Sequence, residues 1–297
     1  MRVFMTGATG YIGNAVAKTL LTGGHEVTVL ARSPEKASAL GKLGARVIQG
    51  GLDSLDDLRS QVVSNEVFIH IAQSGSETAD LDEKAIHVFT SNHDNRHFIY
   101  TSGVWVLGST GSAVANEAAP ANPIELVRWR ASHERYVLGE MRDNFTTTVL
   151  RPGCVYGGRQ SLLANWFEAA EKNEPLRIVG SGDQRWAMVH LDDLAECYRL
   201  IVERRVGGTL HAVDETRSKL RECAEAVIRE GGSSSKIETI PLEEARKSMG
   251  GFADALAIDQ QVGSGSTQYR LGWKPKHTFI ESVPQQWREW REREKSG

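Results

Sequence analysis

A chain of 297 residues, 40% hydrophobic and 25% charged, has the composition of a globular protein with room for one large α/β unit or a core and a smaller lobe. A net charge of -3 without a long Lys/Arg run excludes a nucleic-acid footprint, and no apolar run approaches the roughly 18 residues of a membrane span. The three cysteines, Cys154, Cys197 and Cys223, lack metal-ligand spacing and cannot all pair within one chain, so a reducing, cytoplasmic setting without a metal site is expected.

Val3 to Met5 reads as a buried strand, so no targeting segment is expected ahead of it. Tyr11 to about Leu21 follows as an amphipathic helix, stopped at Gly23-Gly24. Glu26 to Leu30 is the second strand, with Ser33 as N-cap and Pro34 in the first turn of the next helix. Arg46 to Gln49 is the third strand, and Ser54 is expected to cap a helix ending near Val63. Val67 to Ile71 (apolar except for His70), His97 to Thr101 and Thr146 to Leu150 are the next strands. A helix from about Leu81 to Thr90 fits the connection that also holds Ser74-Gly75-Ser76 and the polar run Ser91 to Arg96. This alternation predicts βαβ units and a doubly wound parallel sheet, the α/β (Rossmann) class.

The second half is less regular. Leu191 to Val202 and Lys219 to Ile228 read as helices, with a short strand at Thr209 to Val213 between them and a loop at Gly231 to Ser235. Ser282 to Glu292 predicts a final helix with Pro284 in its first turn, docking through Trp287 and Trp290. A core of residues 1–155 and a stretch 156–297, holding the remaining strands and a substrate lobe, is the expected division.

The turn Thr6-Gly7-Ala8-Thr9-Gly10-Tyr11-Ile12-Gly13 sits between the first strand and the first helix. In that context glycine permits a tight turn and close approach to a pyrophosphate, and the helix N-terminus offers free N–H groups. Gly7, Thr9, Gly10, Tyr11, Ile12 and Gly13 are therefore candidate dinucleotide contacts. An NAD-selective site carries an acid at the end of the second strand, but this chain reads Ala31-Arg32-Ser33 there. Arg32, with Ser33 as a second donor, suits a 2′-phosphate, so NADP(H) is the expected cofactor.

These motifs resemble the extended short-chain dehydrogenase/reductase superfamily, within it the NAD-dependent epimerase/dehydratase branch. The resemblance extends through Ile69-His70-Ile71-Ala72, Tyr100-Thr101-Ser102-Gly103, Leu150 to Gly157, Met188 to Ala195 and Leu271 to Pro275, nearly end to end. It implies that Ala72 and Gln73 lie along the ribose and diphosphate, and Leu52 near the adenine. Pro152, Gly153 and Val155 would line the nicotinamide end. Gly51 stands where the family usually has an Asp, so either Asp53 compensates or that contact is absent.

The family's catalysis uses a Tyr, a Lys four residues later, and a Ser or Thr. Anchoring on Glu134 puts Arg130 at the lysine position and Leu126 at the tyrosine position; the hydroxyl position falls on Gly103. Leucine cannot transfer a proton. Arg130 is then the candidate to hold the nicotinamide ribose, with Thr101 or Ser102 near the reacting oxygen. Trp166, Arg185, Trp186 and His211 are candidates to face substrate. Three functional readings stay open: an NADP(H) oxidoreductase of a small carbonyl, enone or sugar-like molecule, a non-catalytic NADP(H) sensor, or a redox-neutral epimerase. The expected partner is a small-molecule substrate, with neither nucleic acid nor membrane, and the chain is expected as a monomer or homodimer.

Overall fold

The computed structural model describes residues 1–73, 78–91 and 95–294. Strands β1 (Arg2–Thr6), β2 (Glu26–Ala31), β3 (Arg46–Gln49), β4 (Val67–His70), β5 (Arg96–Thr101) and β6 (Phe145–Pro152) alternate with helices α1 (Tyr11–Thr22), α2 (Pro34–Lys42), α3 (Arg59–Val62), α4 (Thr78–Thr90) and α5 (Arg128–Gly139). Next come β7 (Cys154–Tyr156), α6 (Ala164–Glu171), β8 (Leu176–Val179), β9 (Met188–His190), α7 (Leu191–Arg204), β10 (Gly208–Ala212) and α8 (Leu220–Gly231). The chain continues through β11 (Ile237–Ile240), α9 (Leu242–Met249), α10 (Phe252–Ala257), α11 (Gly265–Leu271) and α12 (Phe279–Glu294).

Seven strands form one parallel sheet in the order β3-β2-β1-β4-β5-β6-β10. The order reverses between β1 and β4, which opens a crevice beyond the carboxyl ends of the strands. Helices cover both faces, so β1 is apolar on both sides rather than alternating. Val3 and Met5 pack with Val16 and Leu20 of α1 and Ile201 of α7, while Phe4 packs with Phe68, Phe89 and Phe98 on the other face. A smaller lobe gathers α6, α8 and α12 around Trp166, Phe167 and Trp287, beside the parallel pair β8 and β11.

Three sequence expectations are corrected. No helix runs from Ser54 to Val63; a 3-10 turn at Leu52–Ser54 precedes the short α3. The reason is that Ser54 Oγ turns back to Gly51, accepting from its N–H at 3.0 Å and donating to its carbonyl at 2.9 Å, so it caps nothing downstream. The last helix starts at Phe279, so Pro284 lies inside it and not in its first turn. Docking of Phe279, 1% exposed, into the lobe core extends the helix backwards. Trp287 docks as expected, donating from Nε1 to the Val227 carbonyl at 3.1 Å. Ser33 stands at the N-cap of α2 without capping; its hydroxyl donates to Glu35 at 2.5 Å instead. The segments Ser74-Gly75-Ser76 and Asn92 to Asp94 lie outside the described residues.

Buried imidazoles make stability depend on pH. Thr148 Oγ1 donates to the Val206 carbonyl at 2.6 Å, so His97 Nε2 must donate to that oxygen, leaving His97 Nδ1 buried and unpartnered among the described residues. Burial, helped by the Arg205 charge, pushes His97 down to about 3. Burial and the Arg151 charge push His211 down to about 4. Folded values below the unfolded 6.5 mean stability that is present above pH 6.5 and lost as pH falls. Asp214 opposes this: burial raises it to about 6, so its contribution grows as pH falls from 6 towards 3.8. His190 is pushed down as well, by burial and the His277 charge, so the imidazoles outweigh Asp214 and stability falls between pH 6 and 4. Thermal melts over this range should fall with acid, and His97→Gln should flatten the profile. An unchanged profile in that variant would remove His97 from the account.

Candidate active site

The carboxyl ends of β1, β2, β4, β5 and β6 border a cleft of about 630 Å³. Gly7 builds its floor at φ +78°; a Cβ there would stand 2.6 Å from the backbone nitrogen of Ala72. The turn is thus pressed against the end of β4, which only glycine allows. Gly13, one turn into α1, has the same job from the other side, since its Cβ would meet the Gly7 carbonyl carbon at 2.7 Å. Gly10 is the N-cap of α1, with no side-chain cap and no acid in the first turn. The uncapped N–H groups and the helix dipole therefore act on the cleft, and this cradle fits a dinucleotide pyrophosphate.

Of the sequence candidates, Gly7, Thr9, Gly10, Tyr11, Ile12, Arg32, Leu52, Ala72 and Gln73 line this cleft. So do Thr101, Ser102, Arg130, Pro152, Gly153 and Val155. Gly13, Ser33 and Asp53 do not. Gly13 acts through packing, and the Ser33 hydroxyl is held by Glu35. The Asp53 carboxylate fills the space where a side chain on Gly51 would begin. Arg32 is exposed, passes its stem along Gly51 and has no hydrogen-bond or ion-pair partner among the described residues.

Below β5 the structure assembles a polar cluster that local spacing does not reveal. Asp82 of α4, 2% exposed, accepts from His70 Nε2 at 3.0 Å, Tyr100 OH at 2.7 Å and His133 Nδ1 at 2.8 Å. Burial alone would raise its carboxyl, but the bonds from His133 and His70, with the charges of His70 and Arg130, outweigh this and hold it well below the usual carboxylate range. His70 Nδ1 meets Thr6 Oγ1 at 2.6 Å, at the floor of the cleft. Arg130 donates to the Thr101 carbonyl at 2.8 Å and to Tyr100 OH at 3.4 Å, and its guanidinium lies 4.4 Å from the Trp129 ring centre. The Asp82 cluster thus braces Arg130 at the cleft wall. Glu134 faces the other way and grips Arg151 of β6 with bonds of 2.6 to 3.2 Å.

The available hydroxyl is also decided here. Thr101 Oγ1 is engaged with Tyr198 OH at 2.6 Å, whereas Ser102 Oγ is buried and unpartnered among the described residues. Leu126 is 40% exposed and stands outside the cleft lining. Tyr11 OH bonds the Gly157 carbonyl and is pushed up by burial. Tyr156 is fully buried, 3.3 Å from Asp214, and Cys154 is pushed up to about 12 by burial, so neither supplies a proton. Trp166 and Trp186 belong to the lobe core, Arg185 pairs with Asp259 at 2.8 Å, and His211 lies buried beside Arg151. None of these four lines the cleft. Among the lining residues that the sequence reading missed are Gly50, Val104, Trp105, Val127, Gln160, Leu162 and Phe252. Trp105 follows directly on the β5 motif and was open to notice. Phe252 arrives from the far lobe, with no local signal.

A sequence model of the NAD dependent epimerase/dehydratase family matches residues 3–212. An uncharacterized protein of Schizosaccharomyces pombe is 31% identical over 293 residues, spanning 94% of this chain and 97% of that one. The fold is shared with dTDP-glucose 4,6-dehydratase of Bacillus anthracis in complex with NAD, at a TM-score of 0.86 and 16% identity over 99% of this chain and 98% of that one. It is shared equally with the human epimerase family protein SDR39U1 with NADPH, at a TM-score of 0.81 and 19% identity over 97% and 99%. The chain belongs to the NAD dependent epimerase/dehydratase family.

Proposed function

We propose that this chain is an NADP(H)-dependent oxidoreductase of atypical short-chain type acting on a small carbonyl-bearing molecule. The observation that carries the cofactor choice is Arg32, an unpaired cation at the end of β2 in the same cleft as the glycine turn, with no acid in that lining among the described residues. A 2′-phosphate supplies the counter-charge that this guanidinium lacks, whereas the 2′-hydroxyl of NADH leaves it unpaired. The turn from Gly7 to Ile12 would hold the diphosphate, Leu52 the adenine, Ala72 and Gln73 the adjoining ribose, and Arg130 the nicotinamide ribose. Pro152, Gly153 and Val155 would flank the nicotinamide. When bound, that group supplies a hydride. Ser102 would hydrogen-bond the reacting oxygen, and the proton comes from solvent, because the tyrosine position is Leu126.

Arg32→Ala should weaken NADPH binding by roughly tenfold or more, the scale of one lost charge-assisted bond, and leave NADH binding unchanged. Calorimetric titration with both cofactors checks this; an equal loss for both would sink the NADP(H) assignment. Tight NADPH binding with no consumption over a broad carbonyl panel would move the reading to a non-catalytic sensor. Cofactor that copurifies and stays bound through turnover would move it to a redox-neutral epimerase.

A further inference from the structure

Beyond Arg130 the cleft changes character. Its wall there is made by Val104, Val127 and Leu162 with the rings of Trp105 and Phe252, which meet edge to face at 6.1 Å and 70°. The side-chain polar groups among them are the amide of Gln160, the hydroxyl of Ser102 and the indole N–H of Trp105, the last two buried without a hydrogen-bond partner among the described residues; none carries a charge. Among the described residues, no acid, lysine or histidine lines any part of the cleft. Of its two cations, Arg32 stands at the far end beside Gly51, and Arg130 is turned to Thr101 and Tyr100. A nucleotide-linked sugar carries a diphosphate, and burying two negative charges against this wall without a counter-ion is strongly unfavourable. The whole cleft is about 630 Å³, within the range that one drug-sized ligand fills, so a dinucleotide leaves only a small space.

We infer that the substrate end takes a small uncharged aldehyde or ketone bearing an aromatic or alkyl group, and not a nucleotide-linked sugar. The inference rests on the hydride-transfer reading above. The carbonyl carbon gains a hydride and forms a C–H bond; the π pair moves to oxygen, which takes a proton from solvent water. The carbonyl is reduced to an alcohol and NADPH is oxidised to NADP⁺. Ser102 Oγ donates a hydrogen bond to the oxygen as its charge develops, and the buried hydroxyl gains the partner that it lacks in the protein. Trp105 and Phe252 hold the apolar group.

The test uses the full chain saturated with NADP⁺ and follows binding by calorimetry. The probes are acetophenone, its carboxylated analogue 4-acetylbenzoate, and UDP-glucose; NADPH oxidation is followed separately with the same three. Acetophenone should bind at least about tenfold more tightly than 4-acetylbenzoate, the carboxylate being desolvated without a partner, and UDP-glucose should give no heat. Phe252→Ala should weaken acetophenone about tenfold with NADPH affinity unchanged. Leu162→Lys, at a site already 40% exposed and tolerant of charge, should narrow the gap between acetophenone and 4-acetylbenzoate. Equal binding of the carboxylate, binding of UDP-glucose, or no binding by any probe overturns the inference. Acetophenone bound without NADPH oxidation leaves the apolar site standing and removes the hydride-transfer reading. Oxidation of NADPH by an anionic substrate alone does the reverse.

Discussion

Gly13→Ala is expected to weaken NADPH binding at least about 100-fold, the scale of a displacement near 1 Å in a preorganised site. The added methyl group would meet Gly7 carbonyl carbon at 2.7 Å and Ala8 Cα at 2.9 Å, and lie closer still to the Gly7 oxygen. All three neighbours are backbone, so no side chain can swing away. Either α1 lifts off the turn or the turn opens, and both displace the uncapped N–H groups at the start of α1. A cost of about 3 kcal/mol, the upper range for an overpacked core, should accompany the loss. Gly139→Ala is the matched control, because its Cβ would meet nothing within 4 Å. It should be neutral or stabilising by up to about 1 kcal/mol. Equal NADPH affinity in Gly13→Ala and the native chain would show that the close approach of helix and turn does not matter for binding.

Asp82→Ala should destabilise the protein by about 3–5 kcal/mol, as when one partner of a buried charged cluster is removed. The substitution strands the donors of His70, Tyr100 and His133, all three within 3.0 Å of its carboxylate. Held well below the usual carboxylate range, the group contributes above about pH 4, and its contribution fades as pH falls further. Asp82→Asn, which keeps the shape, should cost less and remain folded for a second measurement. In that variant NADPH affinity should drop several-fold, because Tyr100 no longer braces Arg130. Tyr136→Phe is the contrast, removing a bond to His87 at 3.0 Å on the exposed side of the same helix pair; its NADPH affinity should be unchanged. If Asp82→Asn lost stability and kept full NADPH affinity, the cluster would be structural only.

A charged residue on the buried stripe of α4 was a legible warning. Asp82, Ala85, Ile86 and Phe89 share one face at helical spacing, and all are buried, so Asp82 had to find partners inside. Which partners they are was not legible, since they lie 12, 18 and 51 residues away on β4, β5 and α5. His133 shows the same limit. Its place on α5 follows from spacing, but whether that face meets α4 or solvent depends on how the two helices pack.

The glycine turn and Arg32 in place of an acid were legible in the sequence alone, as were Gly103, Leu126 and Arg130 at the positions that the family resemblance assigns to catalysis. Each belongs to a contiguous strand–turn–helix or strand-end motif, and backbone geometry over a few residues carries the meaning with it. Only the tertiary structure decided that Ser102 and not Thr101 keeps a free hydroxyl, because Tyr198, which engages Thr101, sits 97 residues away in α7. It also decided that the cleft wall beyond Arg130 is apolar, because Phe252 reaches Trp105 from a different lobe. Side chains that meet across elements take their roles from sheet order and helix packing, and those are set by the burial of the whole core rather than by any local run of residues.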